Sequence, residues 1–184
     1  MGQQSFFRGV RDAKLAAWNA ENDYGTAYDI LGIRNASLTW TIESDELGGD
    51  DVIQAQFSNI IGASLTFEMA AVDLEALDII SGGTLVSNAS YDDLIIGKED
   101  DAIPYVAFAG RVVGADGASD LHFFLPKAKI SGNLNFEAAY QSWLLPGADF
   151  AGVYEGETNG VLRFRHFTAI TALEIPLRTT TGTS

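Results

Sequence analysis

Residues Leu38–Phe57 read LTWTIESDELGGDDVIQAQF and decide how the rest of the chain is to be read. Leu38, Trp40 and Ile42 alternate with Thr39, Thr41 and Glu43, and Ile53, Ala55 and Phe57 alternate with Gln54, Gln56 and Ser58. A period of two is the mark of a strand with one wet and one apolar side, so two strands flank the centre. That centre holds Glu43, Asp45, Glu46, Asp50 and Asp51 and no basic residue, and reads as an acidic loop over 43–51 joining the strands.

The same alternation spreads outward. Leu65, Phe67 and Met69 alternate with Ser64, Thr66 and Glu68, after a break expected at Ile61-Gly62. Val106, Phe108 and Val112 lead into Gly114-Ala115-Asp116-Gly117, whose Asp-Gly pair signals a tight turn. LHFFLPKAKI follows and stops at Ser131-Gly132-Asn133; Leu134, Phe136 and Tyr140 suggest another strand, and VLRFRHFTAITALEI one long or two short closing strands. VDLEALDIISGG departs from this pattern: Leu74, Leu77 and Ile80 recur at helical spacing, Asp73 suits the N-cap, and Gly82-Gly83 suit the stop. The expectation is a mainly β fold with one short flanking helix over about 73–81.

Length and composition bound the rest. The 184 residues, 47% hydrophobic and without a repeat or low-complexity linker, fit one domain over 1–184, with MGQQSFF as an N-terminal arm within 1–9 and RTTTGTS (178–184) as a flexible tail. The sequence lacks 18 consecutive apolar residues and the apolar centre of a signal peptide, so neither membrane insertion nor export is expected. Absence of cysteine excludes disulfides and thiolate metal sites. The net charge is −14, and residues 35–110 carry Lys98 alone against 14 acids. Such a surface is unsuited to gripping nucleic acid, which takes clustered Lys and Arg to displace counterions.

Catalytic signatures are missing. His122 and His166 each stand alone in an apolar strand, without a second ligand at metal spacing, and no nucleophile elbow or phosphate loop occurs. The expectation is a non-enzyme without cofactor. Calcium binding by the acidic loop, as in an adhesion domain, is the alternative from another class, but the run lacks the spacing of a calcium loop.

GVRDAKLAAWNAENDYGTAYDILGIRNASLTW, then LGGDD, then IIGASLTFEMAAVDLEALDIISGG, and later LHFFLPKAKISG, together resemble the major tail tube protein of long, non-contractile (siphovirus-type) phage tails, over about residues 9–172. The resemblance implies a β-sandwich or half-barrel that assembles in the host cytoplasm as hexameric rings stacked into the virion's hollow tail. Each copy would lend about four strands to an inner barrel of about 24, roughly 48 Å across, wide enough for duplex DNA in transit. Implied partners are further copies of the chain, a tape measure protein, a tail terminator and distal tail or baseplate proteins; the related tube of a contractile tail or secretion apparatus is the nearest alternative. On this reading Thr39, Thr41, Glu43, Gln54, Gln56, Ser58, Ser64, Thr66 and Glu68 face the lumen, while Trp40, Ile42, Phe57, Leu65 and Phe67 pack into the subunit core. Asp45, Glu46, Asp50 and Asp51 would meet Lys127, Lys129, Arg163 or Arg165 of a neighbour, as charge complementarity favours.

Overall fold

The computed structural model describes residues 7–20, 24–30, 32–49, 52–97, 102–132, 134 and 146–176. Ten strands and two short helices follow in chain order: β1 (Phe7–Ala17), β2 (Tyr28–Asp29), β3 (Ile33–Gly49), β4 (Val52–Met69), α1 (Leu74–Ser81), β5 (Thr84–Ser87), β6 (Asp92–Ile95), β7 (Val106–Gly114), β8 (Asp120–Ile130), β9 (Gly147–Gly152), α2 (Gly156–Asn159) and β10 (Arg163–Phe167). The fold is mainly β, all pairings among the described residues are antiparallel, and β5 and β6 form a small separate hairpin.

The main sheet runs β2-β1-β7-β8-β9-β4-β3, with β10 pairing the start of β8. It wraps around one core. Leu15, Phe108, Phe123, Leu125, Phe150, Leu65 and Phe67 belong to a single buried cluster although they come from five strands, and Val10 and Ala36, near the sheet's opposite ends, both pack against it. Phe67 lies stacked on Phe150, 5.5 Å between ring centres, and Phe108 on Phe123 at 5.9 Å. Gly110 makes the second stack feasible, because a Cβ there would lie 2.2 Å from the Phe123 ring.

Helix α1 closes the concave side with Ala76, Leu77 and Ile80. Its start is held by Asp73, which accepts the Ala76 N–H at 3.1 Å and also the Tyr28 hydroxyl at 2.9 Å. Gly82 ends it at φ 68°, a conformation that costs glycine little. The opposite face of the sheet carries a second, smaller cluster of Ala107, Ala109, Phe124 and Leu173, with Tyr24 and Ile175 against it.

The structure corrects several sequence expectations. The acidic segment 43–49 is strand, leaving at most Asp50 and Asp51 for the connection, and those two lie outside the described residues. Ile61-Gly62 does not interrupt β4, which runs 18 residues without a break. Only Arg163–Phe167 of the closing stretch is strand; residues 168–176 cross the sheet instead, held by burial of Leu173. Phe7, Arg8 and Gly9 belong to β1 rather than to an arm. The rest of the arm, the 178–184 tail and the strand expected at Phe136 and Tyr140 lie outside the described residues.

Candidate assembly surface

β3 and β4 form a hairpin of 17 and 18 residues, roughly 55 Å at the usual strand rise. Only its base belongs to the body. β9 pairs with β4 from Ala63 to Glu68 and no further, and β3 is the last strand of the sheet. From Thr41 onward, then, the hairpin has no strand on either side among the described residues. Two strands alone are at best marginally stable in water, and open edges invite pairing with another chain.

Register determines what each side of this hairpin presents. Thr41 stands opposite Gly62, but Ile42 stands opposite Ile60, so Ile61 is one residue too many on β4. Such a bulge shifts the phase of every β4 residue beyond it, while β3 keeps its own. Ser37, Thr39 and Thr41 share a face with Thr66, Ser64 and Gly62 at the base; past the bulge Glu43 and Asp45 on the same face meet Asn59 and Phe57. Gln56 and Ser58 are turned to the other side, where Gln56 donates to Glu46 at 3.2 Å and Ser58 Oγ lies 2.8 Å from Ser44 Oγ. The nine residues expected to line a lumen therefore do not form one face. Thr39, Thr41, Glu43, Ser64, Thr66 and Glu68 stay together, Gln56 and Ser58 separate from them, and the side chain of Gln54 lies outside the described residues.

The apolar residues divide as well. Leu65 and Phe67 are buried at the base, whereas Trp40, Ile42 and Ile60 continue the core-side face outward while exposed by 48%, 55% and 56%. Phe57, 69% exposed, sits across from Asp45 on the opposite face. The expectation that Trp40, Ile42 and Phe57 fill the subunit core fails because the core ends where β9 ends.

Extended geometry also separates the carboxylates. Asp45 and Glu46 point to opposite faces, so the described part of the run does not converge on a cation, and no group of three His, Asp or Glu able to hold a metal occurs among the described residues.

The basic candidates lie on the body. Lys127 Nζ stands 3.8 Å from the centre of the Trp18 ring and 4.5 Å from that of Tyr105, and Lys129 5.3 Å from Tyr105. The Trp18 indole N–H donates in turn to Glu155. Arg163 and Arg165 point the same way from β10, opposite Phe124 and His122 of β8. Arg163 donates to Asn159 at 3.4 Å, and the Arg165 guanidinium lies 6.0 Å from the Phe167 ring.

Beside these arginines is a polar cluster that strand spacing does not reveal, since its members come from three distant segments. Asp120 is fully buried; its Oδ2 accepts the Thr171 N–H at 2.8 Å, and Arg111 donates to the Thr171 carbonyl at 3.1 Å. His122, 8% exposed, packs 4.6 Å from the Phe167 ring, with Nε2 3.9 Å from Asp120 Oδ2 and no hydrogen-bond partner. Burial holds its pKa below the ordinary 6.5, against the pull of Asp120. Two other groups are shifted: burial and Asp73 raise the Tyr28 hydroxyl, and the Ala118 and Ser119 N–H groups lower Asp116 in the β7–β8 turn.

Between β10 and residues 171–176 a cavity of about 270 Å³ opens. His122, Arg163, Arg165, Phe164 and Phe167 line it, and Glu174 is the sole carboxylate among its described lining residues. No helix among the described residues is long and apolar enough to cross a membrane.

No family model matches the sequence, and no curated protein matches it. Among solved structures, a chain of the anti-feeding prophage (AFP) baseplate, determined by cryo-EM with 6-fold symmetrisation, is similar over 90% of this chain and 95% of its own, at 12% sequence identity and a TM-score of 0.35. A likeness that slight carries neither function nor partners across to this chain.

Proposed function

We propose that this protein is a structural subunit that polymerises through its β3–β4 hairpin into the hollow tube of a phage-type tail, as stacked hexameric rings through which DNA passes. The observation that carries this reading is the hairpin: beyond Ala63 it leaves the body with both edges unpaired among the described residues and with Trp40, Ile42 and Ile60 exposed on its core-side face. Exposed apolar ladders on an unpaired hairpin are stable only when another surface covers them, and in a repeating assembly that surface comes from the next copy.

The opposite side of the hairpin's base suits a bore. Thr39, Thr41, Ser64 and Thr66, with Glu68 and, just past the bulge, Glu43, make a polar face on β3 and β4, where the cation on the same rung as Ser64, Lys129, stands two strands away across β9, and the chain as a whole carries −14. A wall of hydroxyls and carboxylates gives a polyanion nothing to displace counterions with, so DNA slides instead of binding. Gln56 and Ser58 are left out of this wall because the bulge turns them away. The tape measure, terminator and baseplate partners implied by the family resemblance follow from the same role. The hairpin and polar face serve the tube of a contractile tail or secretion apparatus equally well, and a sheath-binding exterior separates the two.

Negative-stain microscopy of the purified protein over rising concentration tests the proposal. Rings or hollow filaments with a bore near 48 Å before side chains are the expected result. Monomers up to the solubility limit, or compact oligomers without a bore, would count against it.

A further inference from the structure

We propose that the hairpin tip is a key for a second copy of this chain: Phe57, with Asp45 beside it, seats in the groove between β10 and residues 171–176, where Arg163 and Arg165 receive the carboxylate. The inference rests on self-assembly, but not on the assembly being a tube.

Three observations lead to it. The first is complementary chemistry. The tip offers an aromatic ring exposed by 69% directly opposite Asp45 and two residues from Glu43 on the same face. The groove offers Phe164, Phe167 and Phe124 walls rimmed by two guanidinium groups, with His122 buried yet lacking a partner for Nε2. Neither arginine has a carboxylate partner among the described residues. An aromatic anchor in a pocket beside an ion pair is the usual composition of an interface hot spot.

The second observation is register. Ala128, Gly152 and Ala63 form one continuous rung across β8, β9 and β4. β8 and β4 run parallel to each other on either side of β9, so counting back along both goes the same way. His122 and Phe57 each lie six residues from that rung. Each strand also holds one surplus residue on the way, Ile61 on β4 and one between Leu125 and Ala128 on β8. Groove and key therefore stand at the same height along the strands. Copies repeated side by side about an axis that preserves this height bring one copy's Phe57 level with its neighbour's His122.

The third is that Phe57 does not fill the groove of its own chain: it is 69% exposed and is not among the groove's lining residues. Phe57 and the groove both open away from the main core on one hydrogen-bonded sheet, which would have to fold back on itself to join them. The bulge adds twist to the tip beyond it.

The test combines charge exchange with crosslinking in the full chain. Phe57→Ser and Arg165→Asp, each checked for a native circular dichroism spectrum, are expected to raise the concentration needed for self-association about tenfold, the loss of one anchor contact. Asp45→Arg together with Arg165→Asp is expected to recover most of that loss. A photoreactive benzoylphenylalanine at position 57 should crosslink to residues 163–176 of another copy. Self-association of Phe57→Ser at the wild-type concentration, failure of the exchanged pair to recover, or crosslinks confined to the same chain would each overturn the proposal. If the wild type forms oligomers without a bore and the exchange still recovers them, the docking stands and the tube reading falls.

Discussion

One hairpin lives in two environments. At its base Leu38 faces Leu65, and Ala36 faces Phe67, beside β9 and within the cluster to which α1 contributes; four to six residues outward Ile42 faces Ile60 on the same side of the same strands, and both stand in solvent. Along β3 nothing in the alternation changes between the two, and β4 skips only Ile61. What changes is the neighbour, since β9 stops at the Ala63 rung. An apolar residue in a strand records that something will cover it, and leaves open whether that cover comes from the same chain or from another.

The sharpest way to break the comparison is at the base. Phe67→Ala removes a ring stacked on Phe150 and in contact with Phe108, and is expected to cost about 3–5 kcal/mol, measured by chemical denaturation of the monomer. A loss below about 1 kcal/mol would show that the base is as loosely held as the tip. Outward, Ile42→Ser and Ile60→Ser should each change monomer stability by less than about 1 kcal/mol, the worth of one cross-strand pair, yet impair assembly about tenfold or more as read by sedimentation. Equal damage to folding and to assembly would erase the distinction between the two regions.

The smallest effect concerns the other side of the sheet, where residues 168–176 rather than a strand provide the cover. His122 is held neutral by burial, so its folded pKa lies below the unfolded value of 6.5. The unfolded chain then takes up a proton that the folded chain resists, and stability is full above about pH 6.5 and declines as the pH falls below it. His122→Gln should flatten that decline in thermal melts followed between pH 7.5 and 5. An unchanged slope would mean that His122 titrates as it does in the unfolded chain.

Much of this architecture could be read in advance. The helix from Asp73 to Gly82 announced itself by its cap, its spacing and its stop, and the Asp116-Gly117 turn by composition. The run ESDELGG read as a loop because carboxylates are depleted in strands, whose preferences reflect half-buried surfaces; on a hairpin with no neighbouring strand among the described residues that preference loses its basis. β1 escaped notice because register shifts between Arg8 and Val10 and between Val10 and Asp12 break its alternation. β9, GADFAG, is short and glycine-bounded. The candidate surface was half legible: its polar base followed from period two, but Gln56 and Ser58 do not share the face of Thr39, Ser64 and Thr66 as period two alone suggests, because a single surplus residue leaves no mark in the alternation of either half. The groove lay further out of reach, since Arg111, Asp120, His122 and Thr171 meet only after β8 has paired with β7 and the 168–176 segment has crossed it.

Ile61 gives the molecule an unusual freedom. Because that one position resets the phase of β4 while β3 runs on unshifted, the β4 residues before and after it are read out like two texts set half a line apart against one continuous margin. Mutational drift can rewrite what the far part displays without disturbing what the near part buries, and a lineage can thereby exchange its neighbours while keeping its fold.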